Sequence, residues 1–229
     1  MHIKTFDEIY QRAAHRKGGS AELEELLPVA AKSSEELAAI GDDRYLAAMT
    51  RAIFRAGFVW RVITNKWPGF EEAFWHFNIM RCAMMSHDDI DALCCDERIV
   101  RNGQKIKTVP LNAGMILEIQ KSHGSFGQFI ADWPQEDYAG LLEFLKKNGA
   151  RLGGTSTQYF LREIGRDGFI LGKDGMAALV DAGVIDKPAT GKAAMQKIQA
   201  AYNQWHKESG RNFSQISRIL SMSIDSTDS

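Results

Sequence analysis

Apolar positions recur at spacings of three and four along almost the whole chain, and strand-like alternation is scarce, so the pattern predicts an all-α fold. Short amphipathic runs come first: Phe6 to Tyr10, a helix from Ser20 through Leu26-Leu27, and another capped by Ser33 or Ser34 with Leu37 and Ile40 inward. A long helix is expected over 43–64, its apolar face made by Leu46, Met49, Ile53, Val59, Trp60 and Ile63, with Gly57 as a point of close packing or a break. Lys66-Trp67-Pro68-Gly69 predicts a turn before Phe70, Phe74 and Phe77, which share one helix face. Ser86 to Asp89 has capping-box spacing ahead of Ile90 and Leu93. Pro110 starts a helix through Ile119, and Phe126, Phe129 and Ile130 form another. After the turn at Trp133-Pro134, Leu141, Leu142 and Leu145 face inward on a helix that Asn148-Gly149 ends. Met176, Leu179 and Val180 belong to a further helix. Met195, Ile198, Tyr202 and Trp205 make one over 190–208, and Phe213, Ile216, Ile219 and Leu220 make the last, ahead of a frayed tail from about Ser223.

At 229 residues and 45% hydrophobic content, the chain can bury one large domain or two small lobes. Its net charge of −1 gives no basic-protein signature, so any nucleic-acid contact must rest on local geometry. Cys82, Cys94 and Cys95 supply no disulfide framework, which suggests a reducing, cytoplasmic setting. Met1-His2-Ile3-Lys4 leads into no apolar run, so no signal peptide is expected, and no window is long and apolar enough to span a membrane. No Cys/His pair has ligand spacing at either end, so neither a metal nor another cofactor is expected.

The most informative stretch is 150–176. Gly153-Gly154 permits a tight turn and a close approach of backbone to whatever lies outside, and Ser156 or Thr157 can cap the helix that carries Phe160, Leu161 and Ile164. Glycine amides feeding a helix N-terminus form a seat for phosphate. Phe169-Ile170-Leu171 then delivers Asp174, which also reads as a plain helix N-cap. The most basic exposed segment runs from Arg101 to Lys107; it is either a solvated loop or a backbone clamp in which Lys105 and Lys107 neutralise phosphates.

Residues 152–174 resemble the helix-hairpin-helix element of base-excision DNA glycosylases. Gly154 and Thr157 fit its phosphate-gripping hairpin, and Asp174 stands where that superfamily carries its catalytic aspartate. Leu152 occupies the position of the first hairpin glycine, and Gln158-Tyr159 lies where strand-cutting members have a lysine, so the resemblance implies a monofunctional enzyme. Ala56-Gly57-Phe58-Val59-Trp60, Phe74 with Phe77, the helix after Ser86, Ile99 to Asn102, Lys105-Ile106 and Asn112-Ala113 are similar, in order, to the DNA-3-methyladenine glycosylase I family. Two features depart from it: Ala52 stands where that family has the glutamate that recognises the base, and its cysteine–histidine zinc site is missing.

The resemblance implies a helix-hairpin-helix DNA glycosylase-like fold over 1–229, two helical lobes flanking a cleft, with the hairpin near 150–165. It implies hydrolysis of the N-glycosidic bond of an alkylated, 3-methyladenine-like or otherwise damaged base in double-stranded DNA, by a monomer. Asp174 would be catalytic. Trp60, Phe54 or Tyr159 would wall the base pocket, and Gly153, Gly154, Thr155, Thr157, Lys105 and Lys107 would contact DNA. Two alternatives stay open: a non-enzymatic DNA-binding module that keeps the hairpin, and a helical scaffold in which Gly153-Gly154 is only a turn.

Overall fold

The computed structural model describes residues 3–28 and 30–225, and among them there is no strand. The helices are α1 Phe6–Lys17, α2 Ser20–Glu25, α3 Ser34–Ala38, α4 Asp42–Arg55, α5 Trp60–Ala73, α6 Ile79–Ala83, α7 His87–Cys95, α8 Gly103–Ile106, α9 Thr108–His123, α10 Phe126–Asp132, α11 Tyr138–Asn148, α12 Gly154–Ile164, α13 Lys173–Asp181, α14 Lys192–Ser209 and α15 Phe213–Met222. They divide into two compact units, one of residues 32–133 and 142–166, the other of 1–31, 134–141 and 167–229. No helix among the described residues is long and apolar enough to cross a membrane.

The unit of residues 32–133 and 142–166 is built on α4, whose Tyr45, Leu46, Met49, Ile53 and Phe54 are buried and which packs against α9, α10 and α12. The single helix expected over 43–64 is in fact two. α4 stops at Arg55, Gly57 adopts φ +73°, and α5 restarts at Trp60. α5 then runs straight through Lys66-Trp67-Pro68-Gly69, where a turn was expected, with Pro68 inside it. An interior proline costs a helix about 3 kcal/mol, and side-chain packing offsets this. Trp67 stacks on Phe70 at 5.3 Å and Phe77 at 5.6 Å, takes the Arg51 guanidinium over its face at 4.0 Å, and donates Nε1–H to Glu71 at 2.9 Å. After α5 the chain reverses through Trp75, His76 and Phe77 at φ of 50°, 53° and 59°. The fully buried rings of Phe74 and Phe77 hold that left-handed turn, and Arg44 donates to the carbonyl of His76.

The segment read as a basic loop contains α8. Asn102 is its N-cap, and its side chain accepts from the amide of Lys105 at 3.1 Å. Pro110 falls in the first turn of α9, where its missing N–H costs nothing. The start of α10 is capped twice. The Ser125 hydroxyl accepts from Gln128 N, and the Asp42 carboxylate, at the start of α4, accepts from the amides of Phe126 and Gly127 and from Gln120 Nε2. The capping box at Ser86 and Asp89 is present as the sequence predicts.

In the other unit, α1 packs on α2, α14 and α15, and α13 packs on α15. Its core is aromatic. Phe169 lies 4.8 Å from Tyr138 and 4.5 Å from Tyr202, and the fully buried Trp205 donates Nε1–H to the carbonyl of Lys4. Residues 168–172 form no helix, and serines of α15 bond to their backbone at Gly168 and Ile170. Ser214 Oγ donates to Gly168 O, and Ser217 Oγ accepts from Ile170 N. At the start of the tail expected to fray from about Ser223, Ser223 is buried and Asp225 pairs with Arg16. Residues 226–229, like Met1, His2 and Val29, lie outside the described residues.

The double capping of α10 generates a prediction. Asp42→Ala removes the acceptor of two backbone amides, and stability should fall by about 2 kcal/mol, read as a lower urea midpoint at an unchanged slope. An unchanged midpoint means that Ser125 alone caps the helix.

Candidate active site

Two helix ends in the unit of residues 32–133 and 142–166 face each other across a pocket of about 720 Å³. One wall is the end of α4 and the start of α5. A helix C-terminus leaves carbonyls without partners, and here Lys105 supplies them: its Nζ donates to Phe54 O at 3.0 Å and to Ala56 O at 2.6 Å. The ammonium also lies over the Phe58 ring at 4.5 Å. Burial, and secondarily the Arg151 charge, hold the Lys105 pKa below the ordinary lysine value. The residue is 6% exposed, so the expected phosphate contact is corrected: Lys105 is a structural cap, drawn inward by two carbonyls and an aromatic face.

The opposite wall is α12. Its approach, residues 149–153, is pinned by the buried Asn112 of α9, which donates Nδ2–H to Ala150 O at 3.2 Å and accepts from Ala150 N at 2.7 Å. Leu152 is buried, Arg151 takes φ +57°, and Gly153 is the N-cap, so neither Ser156 nor Thr157 caps the helix. Gly154 opens α12 at φ +61°, and a Cβ built there meets nothing within 4 Å. The first-turn amides of α12 have no partner within the helix, and Thr155 and Ser156 of that turn line the pocket.

Trp60 and Tyr159 both line the pocket and touch each other edge to face, ring centroids 5.4 Å apart, and are 48% and 40% exposed. Phe54, the third aromatic expected in that role, is fully buried against Phe70 at 4.7 Å; it is corrected to core, since its side of α4 faces inward. Thr157 is likewise corrected as a contact through its side chain, being 1% exposed on the inner face of α12. Lys107 is exposed between α8 and α9 and is not among the pocket-lining residues. Asp174 belongs to the other unit, where it is partly buried in the first turn of α13. The N-cap there is Gly172, so the reading of Asp174 as a cap is corrected.

The pocket's charged residues escaped the sequence reading. Glu163 of α12 accepts from Arg51 Nη1 at 2.6 Å and from Arg55 Nη1 at 2.8 Å, and Arg55 lies over the Trp60 ring at 5.1 Å. One signal was available. Arg51 and Arg55 are like charges one turn apart on α4, an unfavourable spacing unless a carboxylate from elsewhere sits between them. Among the described residues no group of histidine, cysteine, aspartate and glutamate is placed to hold a metal ion.

The family model described as Methyladenine glycosylase matches residues 37–164, a span that contains both walls of the pocket. The DNA-3-methyladenine glycosylase of Haemophilus influenzae is 30% identical over 76 residues, which are 33% of this chain and 41% of that protein, so the match spans less than half of the relative's length. Of the solved structures, 3-methyladenine DNA glycosylase I from Staphylococcus aureus aligns with a TM-score of 0.52 and 22% identity, over 69% of this chain and 92% of that one. A tyrosine-to-phenylalanine variant of a 3-methyladenine DNA glycosylase I, in complex with 3-methyladenine, aligns at 0.52 and 21%, over 68% and 91%. At these identities the likeness is one of fold.

Lys105→Met keeps the length of the side chain and removes its donors. It should lower stability by about 2–3 kcal/mol, because two carbonyls at the end of α4 lose their partner. Limited proteolysis of the folded variant should cut near Ala56-Gly57-Phe58. Wild-type stability together with wild-type resistance to cleavage would show that the cap is dispensable.

Proposed function

The chain belongs to the methyladenine glycosylase family, and we propose that it is a monofunctional DNA glycosylase. In this reading it hydrolyses the N-glycosidic bond of an alkylated, 3-methyladenine-like or otherwise damaged base in double-stranded DNA, acting as a monomer in the cytoplasm. One observation carries the reading: an aromatic-walled pocket shares residues with a glycine-opened helix start, since Thr155 and Ser156 belong to both. A glycosylase needs these two things together, a place for a base taken out of the stack and a fixed hold on the backbone beside it.

The roles follow from the side chains. Trp60 and Tyr159 offer exposed rings on which a flipped base stacks. The first-turn amides of α12, reached past Gly153 and Gly154, take a backbone phosphate, favoured by the positive end of the helix dipole. Exposed Lys107 and Thr155 add further polar contacts to DNA. In the reaction the bond from C1′ to the base nitrogen breaks and its electrons leave with the base. Positive charge develops on the sugar, and a water oxygen bonds to C1′. Asp174, in the first turn of α13, is the carboxylate proposed to stabilise that charge and orient the water. Glu163 is a poorer candidate, because both its oxygens are engaged by arginines.

Two experiments test the reading. Gly154→Ala forces an L-residue into positive φ and projects a methyl into the space a phosphate would fill. Duplex affinity by fluorescence anisotropy should fall roughly tenfold, about 1.4 kcal/mol, as the methyl holds the phosphate away from the amides. A folded variant that binds like wild type would make Gly153-Gly154 an interhelical turn and no more.

Asp174→Asn keeps the size of the side chain and removes its charge. Single-turnover base release should fall about a hundredfold or more while DNA affinity holds. Release at the wild-type rate removes Asp174 from catalysis. A wild type that binds DNA and frees no damaged base is a binding module instead.

A further inference from the structure

The charges of the pocket carry a selection that the proposed function leaves open. Ala52 brings only a methyl group to the lining. Among the described residues the lining holds one carboxylate, Glu163, and each of its oxygens already accepts from a guanidinium, Arg51 at 2.6 Å and Arg55 at 2.8 Å. Arg55 is itself part of the lining and lies over the Trp60 ring at 5.1 Å, so its charge sits against the aromatic wall. The Glu163 charge is outnumbered two to one by the arginines that hold it.

We infer that this pocket selects uncharged bases presenting carbonyl acceptors, the oxo bases that deamination of adenine or cytosine leaves in DNA, over cationic N-alkyl purines, and that Arg55 is the discriminating side chain. The inference rests on the glycosylase reading. A cationic N-alkyl adenine brings positive charge and an amino donor to a wall whose carboxylate is neutralised and whose nearest charge is a guanidinium, so repulsion is added and the donor goes unmet. A lactam base brings a carbonyl oxygen, for which a guanidinium is the matching donor.

The leaving group points the same way. Breaking the C1′–N bond sends the electron pair to the base. Water supplies the oxygen that bonds to C1′, and its proton passes through solvent to the departing base, so one water is consumed and no other reactant is needed. An uncharged oxo base departs as an anion with charge spread onto its carbonyl oxygen, and a guanidinium beside it stabilises that charge as it develops. A cationic alkyl purine departs neutral and gains nothing from a neighbouring cation.

The test uses the full chain in single-turnover reactions, on duplexes carrying hypoxanthine or uracil and on methylated duplex containing 3-methyladenine, with the freed bases separated and counted. The expected result is release of at least one oxo base ten times or more faster than release of 3-methyladenine. Arg55→Met should shrink that ratio tenfold or more, and Arg55→Lys, which keeps the charge, should restore most of it. Faster release of 3-methyladenine by the wild type overturns the inference and leaves the glycosylase reading standing. Release of no base at all overturns both. Because the wild-type comparison needs no variant, a failure of Arg55→Met to fold does not remove the test.

Discussion

A buried ammonium decides where α4 ends, and much of the pocket depends on it. Lys105 donates hydrogen bonds to the carbonyls of Phe54 and Ala56, and the chain turns at Gly57 into the wall that carries Trp60. Taking a lysine out of water is costly, as its lowered pKa reflects, and the cost is offset only because the end of a helix presents carbonyls with no other partner. The opposite wall is fixed from the same place. Asn112 of α9 reaches Ala150, while Lys105, seven residues earlier on α8, reaches the end of α4. The α8–α9 pair packs together and anchors one side of the pocket with each helix, so the spacing of the walls is set by residues that are themselves absent from the lining.

Across the pocket the walls are also joined directly. Arg51 and Arg55 on α4 share Glu163 on α12, and each arginine covers a tryptophan of α5, Trp67 and Trp60 respectively. Arginine suits this arrangement because its planar head can hydrogen-bond at its edge while its face rests on a ring. The consequence is a charged group that is ordered before any ligand arrives. A side chain already held by a carboxylate and a ring loses little freedom when a base stacks nearby, so its electrostatic effect is not eroded by reorganisation.

The local features of the sequence were legible because their causes are local. The helical class, the Ser86 capping box, the glycine start of α12 and the inward aromatics follow from spacing and backbone preference within a few residues. The caps misplaced at Ser156, Thr157 and Asp174 are local errors, but the others have the opposite origin. Lys105 reads as a surface charge until the carbonyls of Phe54 and Ala56, some fifty residues earlier, are brought to it. Phe54 and Trp60 are alike as aromatics of one expected helix until the break at Gly57 puts the first inside and leaves the second exposed. Lys66-Trp67-Pro68-Gly69 has every mark of a turn, and it is helical because the Trp67 ring stacks between aromatics and takes Arg51 on its face. The Arg51–Glu163–Arg55 bridge joins residues more than a hundred positions apart, and only the like-charge spacing on α4 hinted that a counterion was needed.

The same long-range bonding from side chain to backbone governs the unit that holds Asp174. Phe169 is buried among Tyr138, Tyr202 and Phe213, which draws a non-helical stretch of chain into an aromatic core where its amides and carbonyls need partners. Ser214 and Ser217, one turn apart on α15, meet that need at Gly168 and Ile170, and Asp167 accepts from the first amides of α15. These bonds set the register of the non-helical segment against α15, and thereby the point at which α13 begins and Asp174 enters it. Replacing both serines with alanine would leave the aromatic core its rings but not its register, so a carboxylate here is positioned by hydroxyls on a helix about forty residues downstream. The matched family span ends at 164, short of all these residues except Tyr138. The pocket and the proposed phosphate seat thus belong to the shared part of the chain, while the proposed catalytic carboxylate is held by a core whose logic has to be read in this protein itself.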